Sequence, residues 1–132
     1  LCRWKHYTHY FVRGGFVMIT EKLQEAVAAH IRTLMLKADV GQGGNSTNPI
    51  SDTLDVPLGF NITPTTSGST SNVIEAKISI AGTSLNGNII REVGLFNHAS
   101  GNQNMIQRIN FDAVGPIANN ATLEIFIIME VE

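Results

Sequence analysis

The dipeptide Arg91-Glu92 sits inside a run that is otherwise apolar or small, residues 89–96, Ile-Ile-Arg-Glu-Val-Gly-Leu-Phe. Neighbouring residues of a strand point to opposite faces, so one of the two charges turns toward the face that carries Ile90 and Gly94. An inward carboxylate needs partners. Backbone N–H groups of a neighbouring turn or an arginine such as Arg108 would supply them. The structural use of such a carboxylate outweighs its use as a ligand site. Gly94 would let another backbone or an aromatic ring come close, and Phe96 closes the run.

The remaining constellations are weaker. Asp52 and Asp55 flank Leu54. Paired carboxylates can do acid–base work on glycosides, but residues three apart on an extended segment point to opposite faces. His6 and His9 have a spacing that a helix could turn toward a metal, yet a closed zinc site needs four ligands, and only Cys2 lies near. Gly41-Gln42-Gly43-Gly44 lacks the Gly-Lys-Ser/Thr ending of a phosphate loop and follows a helical pattern instead of a strand. Three Asn-X-Ser/Thr triplets, at Asn45, Asn61 and Asn120, are what an Asn- and Thr-rich chain produces by chance. No nucleophile–base–acid set stands out. The expectation is a protein with no catalytic residue, no metal and no cofactor.

Composition narrows the class. The chain has 132 residues, enough for one domain with a moderate core. Charged residues are 15% and apolar ones 43%, which argues against disorder. No apolar run approaches the roughly 20 residues of a membrane span. A net charge of −2 argues against a nucleic-acid surface. A single cysteine, Cys2, excludes an internal disulfide.

The elements follow from periodicity. Residues 1–17 hold Arg3, Lys5 and Arg13 without an acid, among Trp4, Tyr7, Tyr10, Phe11 and Phe16. They read as an arm that docks on a neighbouring subunit or as an incidental extension ahead of Met18. No continuous apolar stretch follows the basic residues, so a signal peptide is not indicated. Residues 18–132 form the domain. Its one helix is expected over 20–38, with Thr20 as N-cap and Leu23, Val27, Ile31, Leu34 and Ala38 as its apolar stripe; Gln24, Ala28 and Arg32 would face away. Gly41 would lie just beyond its end. Residues 54–60 make a short edge strand interrupted by Pro57. Residues 73–81 alternate, with Ile74, Ala76, Ile78 and Ile80 on one face. Asn86-Gly87 then predicts a two-residue type I′ hairpin that pairs 73–81 with 89–96. Residues 105–111 and 121–131 complete the strands. In the last of them Phe126 and Ile128 oppose an apolar face, which predicts a central or covered strand. The class is mainly β, an antiparallel sandwich or sheet with one N-terminal amphipathic helix.

Arg91-Glu92-Val93-Gly94-Leu95-Phe96 resembles the "REVGLF" or "EIGLF" strand of small tailed-phage virion proteins, among them tail-collar fibre proteins and related accessory or decoration proteins. Val40-Gly41-Gln42-Gly43-Gly44, followed by Ser51-Asp52-Thr53-Leu54, resembles the segment "vGtG…t.psdtaL" that precedes this strand in such proteins. The two matches fall within the domain of residues 18–132. The resemblance implies a virion structural protein assembled in the bacterial host cytoplasm. A capsid decoration, cement or accessory protein is the first expectation, and a tail-fibre, collar or baseplate component the alternative. Its implied partners are other virion proteins such as a major capsid or tail protein. Nucleic acid and membrane are not among them. The two-faced apolar strand 121–131 and the helix stripe present more apolar surface than one thin sheet buries, which predicts a homo-oligomer, with a trimer expected, or assembly on a lattice of a different protein. Trp4, Tyr7, Tyr10, Phe11, Phe126 and Ile128 are the candidate interface residues. A carbohydrate- or host-surface-binding module is the reading from another class. It needs exposed Trp or Tyr on a rigid face, and here those residues all lie in the arm.

If the arm serves attachment, deleting residues 1–17 leaves cooperative thermal unfolding of 18–132 intact and weakens binding to assembled particles. A melt and a particle-binding assay on the truncated chain check both halves. Loss of the cooperative transition would make the arm part of the core.

Overall fold

The computed structural model describes residues 19–44, 53–67, 72–100 and 103–132. The arm of residues 1–17, with Trp4, Tyr7, Tyr10 and Phe11, lies outside them, as do Cys2, His6, His9, Asn45 and Asp52. The described chain runs α1 (Glu21–Leu34), β1 (Lys37–Gly41), β2 (Thr65–Ser67), β3 (Val73–Ala81), α2 (Gly82–Leu85), β4 (Ile90–Phe96), β5 (Met105–Val114) and β6 (Thr122–Glu130). It is mainly β, with two antiparallel three-stranded sheets ordered β1-β4-β5 and β2-β3-β6. Ala38, Val40, Val93 and Leu95 of the first sheet share one buried cluster with Ile74, Ala76, Ile78, Ile127 and Met129 of the second. Helix α1 closes onto that cluster through Ala28, Val27 and Ile31.

The Thr20 hydroxyl caps α1 by accepting from the Leu23 N–H at 3.3 Å. The helix ends sooner than its periodicity predicts. Leu34 is its last residue, and Lys37 to Gly41 is a strand instead of a final turn. Leu, Lys and Ala suit a helix, but pairing with β4 buries Ala38 and Val40 completely, and that burial overrides local propensity. The buried face is also rotated. Ala28, expected outward, is fully buried, while Leu23, expected inward, is 47% exposed. Arg32, also expected outward, reaches back to the second sheet and donates to the carbonyls of Ser67 at 3.1 Å and Val73 at 2.9 Å.

The expected hairpin between residues 73–81 and 89–96 does not form. β3 pairs along its whole length with β6, from Val73 opposite Glu130 to Ala81 opposite Thr122, while β4 lies between β1 and β5. Yet the turn itself has the dihedral signature that Asn-Gly predicts. Asn86 has φ 48° and ψ 43°, Gly87 has φ 76°, and the Asn88 N–H donates to Leu85 O at 2.9 Å. The ambiguity is physical. Asn86 caps the C-terminus of α2, and a helix end requires the same left-handed backbone as a type I′ turn. The α2 turn then carries the chain from one sheet to the other. The hairpin that does occur joins β4 to β5, closed by the Asn97 N–H donating to Asn104 O at 3.0 Å.

β6 is likewise not central. It lies at the end of its sheet, with Phe126 54% and Ile128 68% exposed on the outer face. Lys77 of β3 lies over the Phe126 ring, 5.8 Å from its centroid. Among the described residues no helix is long and apolar enough to cross a membrane.

A Cβ on Gly87 would meet nothing within 4 Å, so the constraint at this position is backbone alone. Gly87→Val should cost about 1–3 kcal/mol because a β-branched residue is strained at positive φ. Gly87→Asn should cost less, since Asn tolerates the left-handed region. Urea melts of the two variants check the order.

Candidate functional site

The residues with chemical capacity converge on the outer face of the first sheet. The register sets Asp39 opposite Gly94 and Gly41 opposite Glu92, so the side chains of Asp39 and Glu92 share one face. Gly94 in turn lies opposite Arg108 of β5, and Glu92 opposite Asn110. Residues 53–62 run across this face and along the outer edge of β1. Here the expected edge strand of residues 54–60 takes an irregular form, with isolated bridges joining Gly41 to Pro57 and Ala38 to Ile62.

Glu92 is fully buried. Its Oε1 accepts from the N–H groups of Val56 at 2.8 Å and Gly43 at 3.2 Å. Its Oε2 accepts from the Asp55 N–H at 3.0 Å and from the Arg108 guanidinium at 3.0 Å. Both kinds of partner that an inward carboxylate here requires, turn N–H groups and Arg108, are therefore present. The Arg108 side chain is 6% exposed and also pairs with Asp55 at 2.8 Å, donates to Thr53 O at 3.2 Å and meets Asn110 Oδ1 at 3.2 Å. Arg91, its neighbour across the strand, points outward and is exposed.

Asp39 is the second anchor, 1% exposed. Its Oδ1 accepts from Val40 N–H and Phe60 N–H, each at 2.9 Å, and its Oδ2 from Gly59 N–H at 2.8 Å. The helical reading of residues 20–38 hid this residue by placing it at a helix end. The alternation Ala38-Asp39-Val40 ahead of Gly41 is the signal that could have shown it on a strand.

Together the two carboxylates complete the hydrogen bonding of the covering segment. From Asp55 to Phe60 every backbone N–H has an acceptor. Asp55 and Val56 donate to Glu92, Leu58 donates to Val40 O at 2.9 Å, and Gly59 and Phe60 donate to Asp39. Pro57 has no N–H to place. A segment too irregular for a strand ladder thus escapes the cost of buried, unpaired donors.

This geometry decides what Glu92 can do. A carboxylate has about four lone-pair sites, and four donors fill them. No lone pair remains to take a proton from a substrate or to hold a metal. The charge is spent on the fold. Asp55, which sequence spacing separated from any partner, is bound to Arg108 from the covering segment. Among the described residues no group of three His, Cys, Asp or Glu side chains could hold a metal.

The other singled-out residues divide. Gly94 is a site of close approach, since a Cβ there would stand 2.7 Å from Met105 Sδ and 3.0 Å from the Phe96 ring. Phe96 is buried beneath it, 1% exposed. Asn86 and Gly87 are exposed at the α2–β4 turn and take no part in the cluster. Phe126 and Ile128 lie on the other sheet. No family model matches the chain, and no curated protein or solved structure does either.

Glu92→Gln replaces one acceptor oxygen with a donor facing donors and leaves Asp55 as the remaining carboxylate partner of Arg108. Breaking a buried pair in this way should cost roughly 3–5 kcal/mol. Arg91→Ala, on the exposed side of the same strand, should stay within about 0.5 kcal/mol. Denaturant unfolding of both variants tests the contrast; equal effects would mean that Glu92 does not anchor the segment.

Proposed function

We propose that this chain is a non-enzymatic structural protein of a tailed-phage particle, a capsid decoration, cement or accessory protein in the first instance. It would work by assembly, with copies of itself and with a major capsid or tail protein.

One observation carries the reading. The two stretches that resemble such virion proteins are far apart in sequence, and Glu92 of one is bonded to the other and to the chain just after it. Gly43 belongs to the first stretch, and Asp55 directly follows its Leu54. A Cβ on Gly41 would run into the Glu92 side chain and Val56 O, so the buried glutamate requires a glycine opposite it in this chain. The resemblance is thus supported as one structural unit, a buried carboxylate clasping a Gly-rich turn. A clasp of that kind stabilises a loop against a sheet and leaves no reactive group open, which suits a protein that acts by shape.

Mass spectrometry of purified particles of the phage that encodes the chain tests this. Hundreds of copies per particle would support the capsid surface, and a handful would support the tail-fibre, collar or baseplate alternative. Absence from the particle would overturn the virion reading altogether.

A further inference from the structure

Among the described residues, the four outermost strand edges are treated differently. The outer edge of β1 is covered by residues 56–62, through Leu58 N–H to Val40 O and the paired bonds between Ala38 and Ile62. β2 is three residues long. β5 pairs with β4 through two register shifts, which bend a strand and spoil a flat edge. β6 has none of these guards. It pairs with β3 over nine consecutive residues without a shift and contains no Pro, Gly or Lys.

The hydrogen-bond phase of that edge is fixed. Val131 N–H donates to Asn72 O, and Gly82 N–H to Ala121 O. Odd-numbered residues therefore turn their N–H and C=O toward β3, and Thr122, Glu124, Phe126, Ile128 and Glu130 turn theirs away from it. The same five residues carry the outward side chains, including the exposed Phe126 and Ile128.

We infer that this edge pairs with the same edge of a second copy, the two β6 strands antiparallel about a two-fold axis at Phe126. That register uses the whole strand, because Thr122 then lies opposite Glu130. It sets Glu124 opposite Ile128 and Phe126 opposite Phe126. No like charges face each other. Moving the axis to Ile127 would set Glu124 against Glu130, a directly opposed like-charge pair. Moving it to Ile125 would leave Glu130 beyond the partner strand. The centred register also gathers the Phe126 and Ile128 side chains of both copies into one apolar strip and joins two three-stranded sheets into one of six. The contact is isologous, as a closed dimer requires. It rests on the strand edge alone and does not depend on the virion reading.

The test uses the full chain. Sedimentation should show a dimer, and Phe126→Lys should weaken it about tenfold or more, since the two introduced ammonium groups would face each other. The circular dichroism of that variant should match the parent, because the side chain is already half exposed, while its melting temperature should lose the concentration dependence that dimerisation confers on the parent. In a Cys2→Ser background, Phe126→Cys should form a reducible dimer across a hydrogen-bonded pair whose Cα atoms lie about 5.5 Å apart, within disulfide reach. Glu130→Cys should not. A chain that stays monomeric at every concentration would overturn the inference. So would a dimer or trimer that Phe126→Lys leaves intact, or cross-linking through residue 130 in place of 126.

Discussion

The buried Glu92 carboxylate is the interaction on which the first sheet depends. Removing a charge from water is costly unless donors replace the lost hydration. Here three backbone N–H groups and one guanidinium do so. The exchange works in both directions. Residues 53–60 could not lie over a sheet without acceptors for their own N–H groups, and the two carboxylates are those acceptors. A side chain thus does for an irregular segment what a ladder does for a strand. Asp39 repeats the device from the middle of β1, so the segment is held by two carboxylates on adjacent strands.

The arrangement also explains the division of labour between the two sheets. The β1-β4-β5 sheet hides its outer face under the covering segment and spends its polar residues internally. Among the described residues, the β2-β3-β6 sheet has no such cover on its outer face, where Lys77 bridges to Glu124 at 3.0 Å and lies over Phe126. That ion pair is about half exposed and contributes little to stability. Among the described residues, the covering segment thus buries much of the outer face of one sheet, while Phe126 and Ile128 stay exposed on the other.

Much of this was legible in the residues. The period-2 pattern located β3 at its observed limits, because a half-buried strand writes its burial into alternation, and the β-branched apolar run located β4 within a residue. The partners of Glu92 were legible too, since an inward acid in an apolar run must find donors and Arg108 was at hand. The sheet topology was not. Positive φ at Asn86 and Gly87 serves a hairpin and a helix C-terminus equally, and nothing local tells them apart. The end of α1 was hidden for a related reason. Lys37, Ala38 and Val40 suit a helix well enough, and only the presence of β4 beside them makes a strand better. Asp39 fell within that error, and its role went with it. The limit throughout is that long-range pairing decides between local conformations of similar energy.

The turn at Asn86 and Gly87 has a further consequence, for how the chain finds its fold. Strands adjacent in sequence, β3 and β4, are not partners, so that turn offers no early zipper. The Asn72 side chain reaches Val131 O across 59 residues, and Val56 reaches Glu92 across 36. Contacts of such span must close large loops before they return any free energy. The β4–β5 and β2–β3 pairs are the short-range ones to which the rest can be added. The chain accordingly belongs with the slower-folding β topologies, and the clasp that secures its first sheet is assembled only after β4 is in place to receive it.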